Sequence, residues 1–328
     1  MQKRDNWFVD YQTIPGVTEG TRKLEDRTSK FVTSDFKDAT VLDLGCNVGQ
    51  MCFWAAWNGA ENVTGVEYDS NAFKLAMKYR DHLLQEEDGT HGLKENNVAF
   101  KLDDLDLPTA WHNLPMADVV MLLSVIDTKE LKNRLGILSR SCMKTRKVFY
   151  LEGHLRQPST KYMQMILDNT DFTSIVGLGQ QAGRDLYRCT REILDADGFR
   201  RKLKEAMTKH QRVGVIGNQM AGKSTLRADV ADAEGWEILD DCNYMPTLCK
   251  QDKNLLLFDY RAALYLDDLD VVFNVLQPGE KSEKKRDCLD YLRSAQLKPI
   301  TRLKEFHTVL THGGVAPSHS LDTPVGDD

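Results

Sequence analysis

The sequence predicts an α/β protein made of two doubly wound domains. Three observations carry that expectation. Short apolar runs alternate with helical patterns from residue 40 to about 168, the rhythm of a parallel sheet with crossover helices. Two apolar runs lead straight into glycine turns and then helices, at Val41-Leu42-Asp43-Leu44-Gly45 and at Arg212-Val213-Gly214-Val215-Ile216-Gly217. The length, 328 residues, is that of two domains rather than one.

Composition sets the broad class. The chain is 41% hydrophobic and 28% charged, an ordinary globular balance. A net charge of −6 excludes a uniformly basic nucleic-acid binder and leaves a local basic face open. The seven cysteines (46, 52, 142, 189, 242, 249, 288) form no CxxC pair and no Cys/His cluster, so they read as reduced thiols of a cytoplasmic protein. No apolar run reaches the length of a membrane span, and the N-terminal residues lack the apolar core of a signal peptide. No membrane partner is expected, and the sequence does not give the oligomeric state.

The elements follow in order. Residues 1–34 are polar with scattered aromatics (Trp7, Phe8, Tyr11), and Arg22, Lys23, Arg27 and Lys30 fall on a predicted helix. Strands are predicted at 40–44, 62–67, 97–102, 117–123 and 147–152, with helices at 48–58, 70–86, 128–143 and 160–168. Two further strands, Phe172 to Leu178 and Asp185 to Thr190, flank a Gly-rich turn. The first domain is drawn at 1–195. A charged amphipathic helix follows, with Ile193, Leu194, Phe199, Leu203 and Met207 on one side, and its 196–210 stretch reads as a linker. The second domain is drawn at 211–312, with strands around 212–217, 236–241, 254–259, 269–276 and 305–310. Residues 313–328 read as a disordered tail.

The first glycine turn is not G-x-G-x-x-G but D-x-G-C-x-x-G. Asp43 would repel a dinucleotide pyrophosphate and attract a sulfonium or an amine. Gly45 and Gly49 let a ligand approach the backbone. Glu67 ends the next strand about twenty residues on, the spacing of an acid that grips a ribose. These residues resemble motif I and the ribose-binding acid of the class I S-adenosylmethionine (SAM)-dependent methyltransferases, over roughly residues 35–190. The resemblance implies a Rossmann-like domain ending in an antiparallel hairpin, with SAM as cofactor. It assigns SAM binding to Asp43, Gly45, Cys46, Asn47, Gly49, Glu67 and Tyr68. It gives Asp103, beside Asp104, the adenine amino group; the competing reading is a helix cap or a solvated loop acid. Ser124 falls where family members face the methyl donor. The stretch Ser124-Val125-Ile126-Asp127 lacks the N/D-P-P-Y/F signature, which weakens the case for exocyclic base methylation. His154, after the fifth strand, is a candidate general base or a structural histidine. The N-terminal extension is either a lid over the SAM site or a packing arm.

The second turn, Gly217-Asn218-Gln219-Met220-Ala221-Gly222-Lys223-Ser224-Thr225, is G-x-x-x-x-G-K-S between a strand and a helix. It resembles the P-loop of nucleotide-binding proteins, and the likeness covers roughly 210–312. Backbone N–H groups of the loop would wrap the phosphates of ATP, Lys223 would reach the outer ones and Ser224 would hold Mg²⁺. Asp259 stands at the Walker B position as the second Mg²⁺ residue. Tyr260 follows it, so the glutamate that activates water in many ATPases is missing, and the absence of N-K-x-D argues against a GTPase. Asp240 or Asp241, at the end of the second strand, is expected to lie beside the P-loop and to take an acceptor hydroxyl's proton; the alternative is a pair of solvated acids. Lys281, Lys284, Lys285, Arg286 and Arg293 read as a kinase lid or as a solvated basic face. A P-loop domain of about a hundred residues is short for a small-molecule kinase.

The expectation is a bifunctional enzyme, with SAM-dependent methyl transfer and ATP-dependent phosphoryl transfer acting on one nucleotide, nucleic acid or small hydroxylated acceptor. Two rivals remain at this point. In one, the P-loop domain is a regulatory or docking module that only binds ATP; in the other, ATP binding loads a nucleic-acid substrate.

Overall fold

A computed structural model describes residues 11–85, 92–93, 96–129, 131–154, 159–181, 183–217, 222–228, 230, 233–239, 253–258, 268–276 and 303–311. The chain divides into two compact units, Met1–Glu192 and Ile193–Asp328.

In the first unit the strands are β1 (Thr40–Leu44), β2 (Asn62–Glu67), β3 (Val98–Leu102), β4 (Ala117–Leu123), β5 (Thr145–Glu152), β6 (Ser174–Gln181) and β7 (Arg184–Thr190). They lie in the order β6-β7-β5-β4-β1-β2-β3. The first five are parallel, and β7 runs antiparallel between β5 and β6. The central strands are near-continuous apolar runs because crossover helices cover both faces of a parallel sheet. The helices are α1 (Leu24–Thr28), α2 (Gln50–Trp57), α3 (Ser70–Gln85), α4 (Pro108–His112), α5 (Arg134–Lys144) and α6 (Ser159–Asn169). In α3 the buried stripe is Ala72, Ala76, Tyr79 and Leu83, the three-and-four spacing of a helix laid on a sheet.

One helix start that differs from the sequence expectation, and one helix it did not include, have local causes. Helix α5 starts at Arg134, not at 128, because the Asn133 side chain caps it by accepting from the Gly136 N–H. Asp106 accepts from the Lys132 and Asn133 N–H groups and fixes the preceding turn. Helix α4 went unread because five residues opened by Pro108 are too few to show a periodicity.

The N-terminal segment is packed as an arm. Phe31 and Phe36 join Trp54 and Tyr150 in an aromatic cluster, with Phe31 and Tyr150 4.6 Å apart and Phe36 edge-on to Trp54 at 4.8 Å. Arg188 donates to both Asp35 oxygens at 2.8 Å, and the Tyr150 hydroxyl donates to the same carboxylate. Nearer its start the arm meets the first turn of α2, where Gln50 Nε2 donates to the Thr13 and Arg22 carbonyls.

The second unit holds β8 (Ile193–Leu194), α7 (Ala196–Lys209), β9 (Arg212–Gly217), α8 (Lys223–Ala228), β10 (Glu237–Leu239), β11 (Leu255–Phe258), β12 (Val271–Leu276) and β13 (Glu305–Leu310). Its strands run β10-β11-β9-β12-β13, all parallel, with β8 parallel beside β13. The stretch expected as a linker is α7, and it belongs to this unit. Phe199, Leu203 and Ala206 of α7 are buried in one core with Val213, Val215, Phe273, Val275 and Val309. Phe199 meets Phe273 edge-on at 5.1 Å. The expected basic lid, the 313–328 tail, Trp7 and Phe8 lie outside the described residues. Among the described residues no helix is long and apolar enough to cross a membrane.

The bidentate Asp35–Arg188 pair is largely buried, so removing one partner strands the other. Asp35→Ala is expected to lose about 3–5 kcal/mol of unfolding free energy, the usual cost of breaking such a pair. Urea denaturation measures it, and a loss below 1 kcal/mol would show that the arm is held by its aromatic residues alone.

Candidate active site

The glycine loop leaves the C-terminal end of β1, which is flanked by β2 and β4. The Gly45 and Cys46 N–H groups both donate to the Val66 carbonyl, at 2.8 and 2.9 Å, so the loop is anchored to β2. Asn47 and Gly49 take positive φ, 55° and 89°. A Cβ on Gly45 would lie 2.4 Å from Val125 Cγ2, and one on Gly49 would lie 2.7 Å from Phe100 Cζ. The sequence explained these glycines by ligand approach; the structure adds that protein neighbours already fill the space a side chain would need.

Glu67, at the end of β2, holds the loop from the other side. One carboxylate oxygen accepts from the Asn47 N–H at 2.8 Å, and the other accepts from the Tyr68 and Asp69 N–H groups at 3.0 and 2.9 Å. Burial raises its pKa, and those same N–H groups oppose the rise. The Asp103 N–H donates to the Glu67 carbonyl at 3.0 Å, which brings the ends of β2 and β3 together. Asp103 is half-buried and accepts from the Asp104 N–H; Asp104 is exposed and accepts from the Asp106 N–H. Tyr68 and Leu102 beside them are 61% and 50% exposed. Glu67, Tyr68, Asp103 and Asn47 thus form one cluster. Cys46 is buried beneath it, its thiol donating to the Asn47 carbonyl.

Asp43 lies below that cluster, close enough for the Glu67 charge to act on it. Its carboxylate is buried under the loop, where it accepts from Cys52 Sγ at 3.4 Å. It faces a set of charges the sequence gave no reason to group. Glu152, fully buried at the end of β5, accepts from Arg22 at 2.9 Å, has Arg184 at 3.8 Å, and accepts from the Ser124 hydroxyl. Burial works to raise the Glu152 pKa, but Arg27, Arg22 and the Ser124 and Arg22 hydrogen bonds outweigh it and hold it below its ordinary value. Ser124 takes a positive φ of 60° after β4, with its N–H on the Glu152 carbonyl. A buried glutamate just before the candidate His154 was the one available signal, because a buried carboxylate requires a cation.

His154 follows at the same edge. Its N–H donates to the Tyr162 hydroxyl at 2.8 Å, and that hydroxyl donates to Asp127. Lys161 pairs with the other Asp127 oxygen at 2.9 Å. The Tyr162 ring packs on Gly153, where a Cβ would lie 2.4 Å from it. The His154 ring is half-buried, and among the described residues it forms no hydrogen bond. Asp127, Lys161 and Tyr162 were not singled out as site residues in the sequence.

In the second unit Gly217 closes β9 with a φ of 142°, and a Cβ there would lie 2.4 Å from the Val275 carbonyl oxygen. Gly222 sits against Thr311, and Lys223 opens α8 with its Nζ donating to the Gly217 carbonyl at 2.9 Å. Ser224 and Thr225 are exposed. Asn218, Gln219, Met220, Ala221, Asp240, Asp241 and Asp259 lie outside the described residues. The strand order corrects one expectation. β9 lies between β11 and β12, with Phe258 of β11 opposite Val215, while β10 lies on the far side of β11. The strand leading to Asp259 therefore borders the P-loop strand, and the one leading to Asp240 does not.

Burial pushes the Asp43 carboxyl up to about 6, against the pull of Arg27 and the Cys52 hydrogen bond. A carboxyl that keeps its proton longer when folded makes stability fall as pH rises from about 4 to about 6. Asp43→Asn lacks that titration. Its unfolding free energy relative to wild type is expected to improve by about 2–3 kcal/mol between pH 4 and pH 7. Urea titrations across that range test this, and a difference that does not change with pH would contradict it.

No protein-family model matches the chain, and no curated protein does. Solved structures do. The chain is similar to the magnesium protoporphyrin IX methyltransferase ChlM from Synechocystis with bound SAM, at 17% identity and a TM-score of 0.41, over 52% of this chain and 80% of that one. It is similar to the bifunctional kinase-methyltransferase WbdD at 18% identity and a TM-score of 0.41; 56% of this chain is covered, and it spans only 44% of WbdD. A putative RNA methyltransferase, PH1948 from Pyrococcus horikoshii, is 16% identical with a TM-score of 0.34, over 49% of this chain and 79% of that one.

Proposed function

We propose that the first unit is a SAM-dependent methyltransferase and that the second is a P-loop unit binding Mg·ATP for phosphoryl transfer to the same acceptor. The observation that carries the first half is the Asn47–Glu67 bond. It joins the D-x-G-C-x-x-G loop to the acid at the next strand end, in a sheet that closes with an antiparallel strand. The residues fit a nucleoside: two acids at adjoining strand ends, with the exposed Tyr68 ring and Leu102 between them. Glu67 and Asp103 would hold its polar edges and Tyr68 its flat face. SAM supplies an electrophilic methyl group. The chain's part is to seat the adenosine and to receive the acceptor's proton. His154 is the candidate for the second task, with its backbone pinned through Tyr162 to Asp127.

The second half rests on the strand–G-x-x-x-x-G-K-S–helix order. Support comes from Lys223, whose reach across the loop mouth to Gly217 is that of a lysine able to contact phosphates there. Ser224 at the start of α8 would hold Mg²⁺ with Asp259. The reading in which this unit only binds ATP also has an observation behind it. The candidate bases Asp240 and Asp241 follow β10, which does not border the P-loop strand. The acceptor remains, on this reading, a nucleotide, a nucleic acid or a small hydroxylated molecule.

Calorimetry on the full chain tests the assignments. Glu67→Ala is expected to weaken S-adenosylhomocysteine by about 1.5–3 kcal/mol, the worth of hydrogen bonds to a charged group. Unchanged affinity would remove Glu67 from the cofactor site. Lys223→Ala is expected to abolish Mg·ATP binding and leave S-adenosylhomocysteine affinity as it was; loss of both would mean that the sites are coupled.

A further inference from the structure

The partners of Glu152 crowd onto one of its oxygens. Arg22 donates to Oε1 at 2.9 Å, Arg184 lies 3.8 Å from it, and the Ser124 hydroxyl donates to it as well. The other oxygen, Oε2, is sealed from solvent and has no hydrogen bond among the described residues. Two neighbours repeat the pattern. Gln181 is 2% exposed, and both polar atoms of its carboxamide, Nε2 and Oε1, are buried and unpaired. Arg184 turns its Nη1 to the Tyr11 hydroxyl at 3.4 Å, while its Nε is buried without a partner.

The sheet brings these three side chains together. Gln181 closes β6, Arg184 opens β7, and the two are cross-strand partners in register, so their side chains share a face. The Arg184–Glu152 contact puts the end of β5 on that same face. Strands β5 and β6 are both antiparallel to β7. Both therefore end at the edge from which the glycine loop leaves β1.

Four buried atoms thus stand unpaired: two acceptors, Glu152 Oε2 and Gln181 Oε1, and two donors, Gln181 Nε2 and Arg184 Nε. Such atoms are costly to leave unmade, and native structures seldom do so without a ligand or solvent to meet them. The mixture selects the occupant. The arginines around Glu152 outweigh its burial and keep it ionised. A carboxylate or a phosphate brings acceptors only, so it would be repelled by Glu152 and would leave both acceptors unmet. A hydroxyl donates one hydrogen bond and accepts another, so two hydroxyls meet all four atoms.

We propose that Gln181, Glu152 and Arg184 seat a pair of hydroxyl groups, and that the methyl acceptor is a polyol or a sugar. The proposal rests on the methyltransferase reading for calling this ligand the acceptor; the seat itself does not. A nucleobase edge, which also carries donors and acceptors, is the competing occupant.

The test uses the full chain as wild type, Gln181→Met and Gln181→Asn, with S-adenosylhomocysteine present. Saturation-transfer NMR titrates four probes: ribitol, methyl glucoside, adenine and acetate. Wild type is expected to bind ribitol or methyl glucoside in preference to adenine and acetate. Gln181→Met keeps the length of the side chain but neither donates nor accepts, and it is expected to bind that probe tenfold or more weakly. Gln181→Asn, with its carboxamide one methylene back, should fall in between. The melting temperature of Gln181→Met should not drop, since the variant removes an unpaired carboxamide; a clear drop would show that the group is structural and overturn the proposal. No binding of either hydroxylated probe by wild type overturns it too, as does equal binding by wild type and Gln181→Met. A preference for adenine would make the acceptor a nucleobase, and a preference for acetate would make it an anion; each contradicts the proposal. Calorimetry with S-adenosylhomocysteine alone separates the two readings. If wild type does not bind it, the methyltransferase reading fails, while ribitol and methyl glucoside still decide whether the hydroxyl seat exists.

Discussion

The bond from the Asn47 N–H to the Glu67 carboxylate sets the geometry on which the first site depends. The loop after β1 has to turn through positive φ at Asn47 and Gly49, and no regular hydrogen-bond ladder holds it there. Glu67 replaces that ladder by accepting from three backbone N–H groups, one across the loop and two at its own strand end. Hydrogen bonds to an ionised group are worth more than neutral ones, and these lie in a largely dry position. The acid therefore has two tasks. Three of its roughly four acceptor positions already serve the backbone, so a ribose must share the remainder.

The arm supplies the other constraint. It threads Arg22 and Arg27 into the interior at the edge where the glycine loop begins, and it buries Phe31 and Phe36 against Trp54 and Tyr150. The same segment thus closes the core and charges the site. That coupling explains why so polar a stretch is ordered at all: its aromatic residues make the contacts that hold its arginines in place.

Much of this was legible in the chain, and the rest was hidden for identifiable reasons. Strands β1, β2 and β4 stand where apolar runs mark them, because burial on both faces leaves no other composition available. The glycine loop and the G-K-S loop were legible because a turn before a helix restricts residue type locally. The Arg22–Glu152 pair was not, because its partners are 130 residues apart and neither has a local signature. The order of β10 and β11 depends on non-local pairing, which is why Asp240 and Asp241 were expected beside the P-loop strand and the strand leading to Asp259 was found there instead. Asp43 was read from its charge and its motif as an acid that attracts a sulfonium; its burial beside Cys52, with the Arg27 charge acting on it, is not written in the motif.

Amide hydrogen exchange on the full chain, with and without S-adenosylhomocysteine, tests the central claim most directly, because it reads backbone protection segment by segment. A donor seated on the Glu67 cluster should slow exchange at residues 45–50, 67–69 and 102–105 and leave 212–228 unchanged. No protection at 45–50 and 67–69, or protection concentrated at 212–228, would contradict it.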